Sequence, residues 1–287
     1  MTLVDQPYQQ GPSQEQNPYL RALKIPLLLV FALAAHVCSS PPVAPPSAAE
    51  RAPMRSTRLE FLLTRGGARC IKVFWFVLCL VEVLAICSTT VPELAPLQPF
   101  VLRTLFAPFS SWTSSPSSSH PTSPSTITPP HPQPPTSMIA SPSNLRLTPS
   151  FVLGCALAAL GASIRLRAYR ALGAMFTFEM AIKRDHRLVT SGPYAWVRHP
   201  GYTGLVCFVV GAGFCHAFEG SYLRESGVLR TPLGRALVLP GPLLMLSVGA
   251  ALMMRMRRED EAMRGVFGKE WEVWARRVRW RLVPGVY

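Results

Sequence analysis

The sequence predicts an all-α fold, a polytopic integral membrane helical bundle of about five to seven membrane segments with a site at its cytosolic face. Three observations carry that prediction. Hydrophobic residues make up 49% of the 287 positions and charged residues only 15%, where about 25% charged is usual in a soluble domain. The apolar residues gather into separate runs of membrane-segment length. The net charge of +14 comes from Arg and Lys beside those runs rather than along one amphipathic face, so positive-inside topology accounts for it and a nucleic-acid partner is not implied. Seven cysteines, none in a C-x-x-C pair, suggest neither a disulfide framework nor a metal site; most lie inside apolar runs as small hydrophobes.

Residues 1–19 are polar, rich in Gln and Pro, and read as disordered. Membrane segments then occupy 20–109. The first apolar run, 25–38, follows Arg21 and Lys24; at about 14 residues it is short of the about 20 that a spanning helix needs. The long polar leader argues against a signal peptide. A Pro/Ala linker over 41–56 leads to a stronger span at 71–87, where Glu82 sits at membrane depth either as packing glue between helices or as part of a site. Pro96, Pro99 and Pro108 make a straight helix over 94–109 unexpected.

Residues 110–149 are dominated by Ser, Pro and Thr and cannot bury enough apolar surface to order themselves. They read as a disordered insertion in which His120 and His131 are solvated. Beyond it, 150–287 forms one membrane domain. A Gly/Ala-rich span at 151–164 suits close helix packing and ends in Arg165, Arg167 and Arg170. Further spans are expected at 204–218 and 233–254, with Pro240-Gly241-Pro242 breaking or kinking the last. Residues 256–281, charged and holding Trp271, Trp274 and Trp280, fit a helix leaving the membrane along its interface.

Two clusters abut these spans. In the first, Ser191-Gly192-Pro193-Tyr194 and Arg198-His199-Pro200-Gly201-Tyr202 form two turns whose Pro and Gly residues can hold backbone groups against a ligand. Tyr194 and Tyr202 offer aromatic faces and hydroxyls, and His199 a hydrogen bond. An interfacial loop anchored by ordinary aromatics explains the same residues. In the second, Arg255 and Glu259 stand four apart and share a helix face, either as a solvated ion pair or as separate partners for a ligand carboxylate and ammonium.

Together the clusters resemble the isoprenylcysteine carboxyl methyltransferases over roughly residues 150–287. The matching positions are His186, the Leu188-Val189-Thr190 run, Gly192 to Tyr194, Arg198 to Gly204, Arg255 to Glu261, Phe267-Gly268 and Pro284. The resemblance implies that S-adenosylmethionine is held by His186, Arg187, Leu188, Val189 and Tyr194, by His199, Pro200, Gly201 and Tyr202, and by Glu259, with Glu179 as a further contact. It also implies that Arg255 is the catalytic, substrate-facing residue and that no metal takes part. Gly201 stands where serine is common in the family, and Trp271 where tyrosine is.

The acceptor implied is the C-terminal carboxylate of a prenylated cysteine, farnesyl or geranylgeranyl, in a multi-pass protein of the endoplasmic reticulum membrane. Such a carboxylate, with an ordinary pKa of about 3.3 to 3.7, is ionised at neutral pH and needs no general base. Phospholipid N-methyltransferases share the cofactor half of the pattern but act on an amine, and membrane sterol reductases carry a related Arg-His-Pro-x-Tyr pattern. A non-catalytic scaffold is the remaining alternative, against which the intact Arg198, His199, Tyr202, Arg255 and Glu259 argue. The final residues, Val283-Pro284-Gly285-Val286-Tyr287, hold no prenylation box.

Overall fold

The computed structural model describes residues 17–43, 66–106, 142–176 and 187–286. The regular structure among them is entirely helical. Six helices organise it: α1 (Lys24–Ser39), α2 (Ala68–Thr90), α3 (Pro149–Leu172), α4 (Pro200–His216), α5 (Pro240–Phe267) and α6 (Lys269–Arg277). The expected N-terminal leader lies almost wholly outside the described residues, as do Glu179 and His186. So does the Ser/Pro-rich insertion up to residue 141. Its last residues are built into the bundle, with Leu145 fully buried and the Arg146 N–H donating to Gly220 O at 3.2 Å.

Four helical segments among the described residues are long and apolar enough to cross a membrane: Pro18–Ser39, Ala68–Thr90, Pro149–Met175 and Pro232–Phe267. The apolar α4, at 17 residues and about 25 Å, is shorter than these four. The protein is thus an all-α polytopic membrane bundle. Its first span is longer than its apolar run because a helical turn at Pro18–Ala22 is added before α1. Lys24 belongs inside that span: its ammonium is fully buried and pairs with the Glu82 carboxylate of α2. It also donates to Gly220 O at 2.6 Å and lies 4.4 Å from the Phe151 ring centroid. Glu82 therefore ties helices together.

The proline cluster breaks the last span, as expected. Pro232–Val238 forms a separate short helix, the chain turns at Leu239, and Pro240 occupies the first turn of α5, where its missing N–H has no intrahelical partner to lose. At α3, the Thr148 side chain accepts from Phe151 N at 3.3 Å and Pro149 takes the first position. This cap fixes the start of the helix that supports the site.

Helices α3 and α4 pack antiparallel with their backbones almost touching. A Cβ added at Gly204 would lie 2.5 Å from Gly161 O, and one at Gly211 would lie 2.5 Å from Gly154 O. Hydrogen is all that fits there. Gly211→Val should therefore destabilise the bundle by about 1 to 3 kcal/mol through overpacking, read as a lower thermal midpoint in detergent. A variant as stable as the parent would show that the two helices do not meet at this seam.

Candidate active site

The site forms where the N-terminus of α4 meets the C-terminal part of α5. Pro200 starts α4, fully buried in its first turn, and this fixes the approach of Arg198 and His199. A strap beyond α6 then holds that loop: Arg198 N–H donates to Trp280 O and His199 N–H to Arg281 O, both at 2.9 Å. Thr203 Oγ1 donates to Leu282 O at 2.7 Å. The buried Trp274 indole of α6 donates to Tyr194 O at 3.2 Å. Arg165 of α3 donates to Gly201 O at 2.7 Å.

Charged side chains gather against this frame. Glu259 Oε1 accepts from Arg255 Nε at 2.6 Å and from the Tyr202 hydroxyl at 2.8 Å, and its Oε2 lies 3.5 Å from His199 Nδ1. Asp260, the next residue, faces the other way. It takes His199 Nε2 at 3.0 Å, Arg198 Nη1 at 3.0 Å and Arg281 Nε at 3.1 Å. His199 and Tyr202 stack with ring centroids 5.6 Å apart, and Arg198 lies over Trp271 at 5.9 Å. Two carboxylates thus face three arginines and a histidine.

Burial disfavours a charged His199, but hydrogen bonds to Asp260 and Glu259 outweigh it and raise its pKa above the ordinary value. The imidazolium form is favoured. For Tyr194, burial, reinforced by the nearby Glu259 charge, raises the hydroxyl above its ordinary range and keeps it protonated.

A raised histidine pKa has a defined effect on stability: the contribution is fully present below the unfolded value of about 6.5 and is lost as pH rises through the higher folded value. The thermal midpoint should accordingly fall as pH rises from about 6.5 through the higher folded value, and His199→Gln should flatten that fall. Identical pH slopes in parent and variant would assign the titration to another group.

A cavity of about 1170 Å³ opens from this cluster and continues between the helices, its walls mostly apolar beyond the charged end. Arg187, Leu188, Val189, Tyr194, His199, Gly201, Tyr202, Arg255 and Glu259 all line it, so residues far apart in sequence meet at one space. The volume exceeds the upper range of about 1,000 Å³ for a single small-molecule site, which suits two ligands. The sequence reading passed over Asp260 and Arg281. Asp260 stands in the acidic run, but successive helix residues point about 100° apart, and nothing in the pattern showed that a downstream strap would use the second carboxylate.

These features define a polytopic membrane protein with a charged site closing one end of a long apolar cavity. Comparison with known proteins narrows that class: residues 152–219 match the family model described as the isoprenylcysteine carboxyl methyltransferase (ICMT) family, which bears out the resemblance carried by the motifs. Two curated relatives match as well. A protein-S-isoprenylcysteine O-methyltransferase of Saccharomyces cerevisiae is 40% identical over 62 residues, 21% of this chain and 26% of the relative. A Delta(14)-sterol reductase of Gibberella zeae is 34% identical over 122 residues, 37% of this chain and 25% of the relative. The chain spans about a quarter of the length of these relatives, and no solved structure matches it.

Proposed function

We propose that the protein transfers a methyl group from S-adenosylmethionine to the C-terminal carboxylate of a prenylated cysteine, at the cytosolic face of the endoplasmic reticulum membrane. The observation that carries this reading is the cationic surplus of a charged cluster opening onto an apolar cavity. Such a site suits an acceptor that is anionic at one end and lipid at the other, and it disfavours an amine. Both the family match and the yeast methyltransferase support the same acceptor class. The basic residues Arg165, Arg167 and Arg170 at the end of α3 support the cytosolic placement.

The residues present fit the methyl donor. Glu259, partly exposed to the cavity, would hold its ammonium, while Arg187, Leu188, Val189, Tyr194 and Tyr202 would flank the nucleoside, with Glu179 and His186 assigned from the motif alone. When bound, the donor supplies an electrophilic methyl group. Arg255 would orient the acceptor carboxylate, which is already ionised. Tyr202 and His199 hold Glu259 in place, and Pro200 and Gly201 fix the turn. Packing of the Trp274 indole under Tyr194 helps exclude water from the reacting groups. No group has to remove a proton, so the chemistry reduces to alignment.

The test is transfer of labelled methyl from S-adenosylmethionine by the purified protein, with N-acetyl-farnesylcysteine and phosphatidylethanolamine offered in parallel. Label is expected in the prenylcysteine. Label in the phospholipid alone would overturn the carboxylate reading. One observation favours a second reading: the sterol reductase match covers more of the chain than the methyltransferase match. Nicotinamide-dependent reduction of a sterol double bond without any methyl transfer would select it.

A further inference from the structure

The last stretch of the chain carries charge that the site does not use. Residues 273–287 hold four arginines and no acidic residue. Arg281 is bonded to Asp260, whereas Arg276, Arg277 and Arg279 are exposed and have no ion-pair partner among the described residues. The acidic residue of α6 nearest to them, Glu272, is taken by Arg264 at 2.6 Å. Exposed apolar side chains accompany these arginines: Trp280 and Val283 in the strap, Val286 at 77% exposure, and Trp196 at 74% in the loop that the strap holds. Large apolar side chains left exposed together with unpaired cations mark a surface that meets a partner.

Their level in the molecule identifies that partner. The apolar run of α5 gives way to charge at Arg255, and Glu259, one turn on, accepts from Tyr202 in the first turn of α4. Both helices therefore meet the membrane boundary at the charged cluster. From Arg255, α5 continues to Phe267, about 18 Å further along its axis, and α6 leads the chain back. Arg198 and His199 then donate to Trp280 O and Arg281 O, and Thr203 to Leu282 O. Trp280 and Val283 thus stand beside the first turn of α4, at headgroup depth, where the amphipathic indole ring is at home.

We propose that Arg276, Arg277 and Arg279 bind the headgroups of anionic lipids in the leaflet beside the charged site, with Trp196, Trp280, Val283 and Val286 set into that leaflet. A lipid of net negative charge, such as phosphatidylserine, offers the arginines an attraction that a zwitterionic headgroup largely cancels with its own ammonium. An acidic protein surface would match the arginines but leave the apolar side chains at headgroup depth unexplained. The segment that grips the lipid is also the one that receives Arg198 and His199, so lipid binding fastens the loop on which the site is built. The binding itself does not depend on methyl transfer. The cytosolic placement proposed above bears on it only because anionic lipids are abundant in that leaflet.

The experiment uses the full chain in phosphatidylcholine nanodiscs that contain a minor fraction of either brominated phosphatidylserine or brominated phosphatidylcholine. Bromine quenches tryptophan emission at contact. The double variant Trp196→Phe with Trp280→Phe identifies the share of emission that belongs to this surface. That share should respond to brominated phosphatidylserine at about fivefold lower lipid fraction than to brominated phosphatidylcholine, the effect of one arginine at an anionic surface. Raised salt should shrink the difference. The triple variant Arg276→Gln, Arg277→Gln and Arg279→Gln, at the parent's thermal midpoint, should abolish it. Equal quenching of the parent by the two lipids would overturn the proposal, and that comparison requires no arginine variant to fold. Quenching by neither would overturn it as well, by placing the surface away from the membrane and in favour of an acidic protein partner.

Discussion

Arg255→Lys is expected to lower methyl transfer to N-acetyl-farnesylcysteine by about a hundredfold or more, the range typical of losing one fixed charged donor at a reacting oxygen. The lysine keeps the charge. What it loses is the planar fork, which can serve two oxygens at once where an ammonium acts as a point charge. The geometry makes this loss larger than sequence spacing suggested, because Arg255 is 4% exposed and holds Glu259 through Nε at 2.6 Å. Because the two residues bond each other, the arginine proposed to face the substrate also orients the carboxylate proposed to face the donor. Cofactor affinity should therefore weaken as well in Arg255→Lys, by a smaller factor than the rate. Calorimetry with S-adenosylmethionine and a methylation assay on the same purified variant separate the two effects. An unchanged rate would remove Arg255 from the site.

Breaking the Lys24–Glu82 pair should have the largest effect on the fold. Both side chains are fully buried, and removing one partner of a buried ion pair leaves an uncompensated charge at a cost of about 3 to 5 kcal/mol. Lys24→Met should lower the thermal midpoint of the detergent-solubilised protein strongly. The double substitution Lys24→Met with Glu82→Leu should recover most of the loss, since a well-packed apolar pair can replace a buried ion pair at little net cost. If the single variant melts with the parent, the pair is not what holds α1 to α2.

Lys24 also shows why part of the fold was hidden in the sequence. Hydropathy treats a lysine as the edge of an apolar run, which made the first span look about 14 residues long. A charge neutralised by a partner 58 positions away can sit inside a span, and no local pattern reveals that partner. The main spans were legible because each is a continuous apolar run. Pro240-Gly241-Pro242 was legible too: the span breaks at Leu239, directly before Pro240, because proline disrupts a helix interior but starts a helix well.

Much of the candidate site was legible as well. Tyr194, His199, Tyr202, Arg255 and Glu259 line one cavity, and their motifs had suggested a common ligand. The hub at Asp260 was not legible, because its partners Arg198 and Arg281 come from segments whose meeting depends on the tertiary fold.

The strap that receives Arg198, His199 and Thr203 comes from residues 279–282, about eighty positions downstream of the loop it holds. During synthesis, α1 to α4 can be inserted and packed while the loop at 198–199 still lacks these partners. A chain interrupted before Arg279 would keep its membrane helices and its buried Lys24–Glu82 pair and yet have no finished site. Insertion of the helices and completion of the site are thus separate events, and the second waits for residues 279–282.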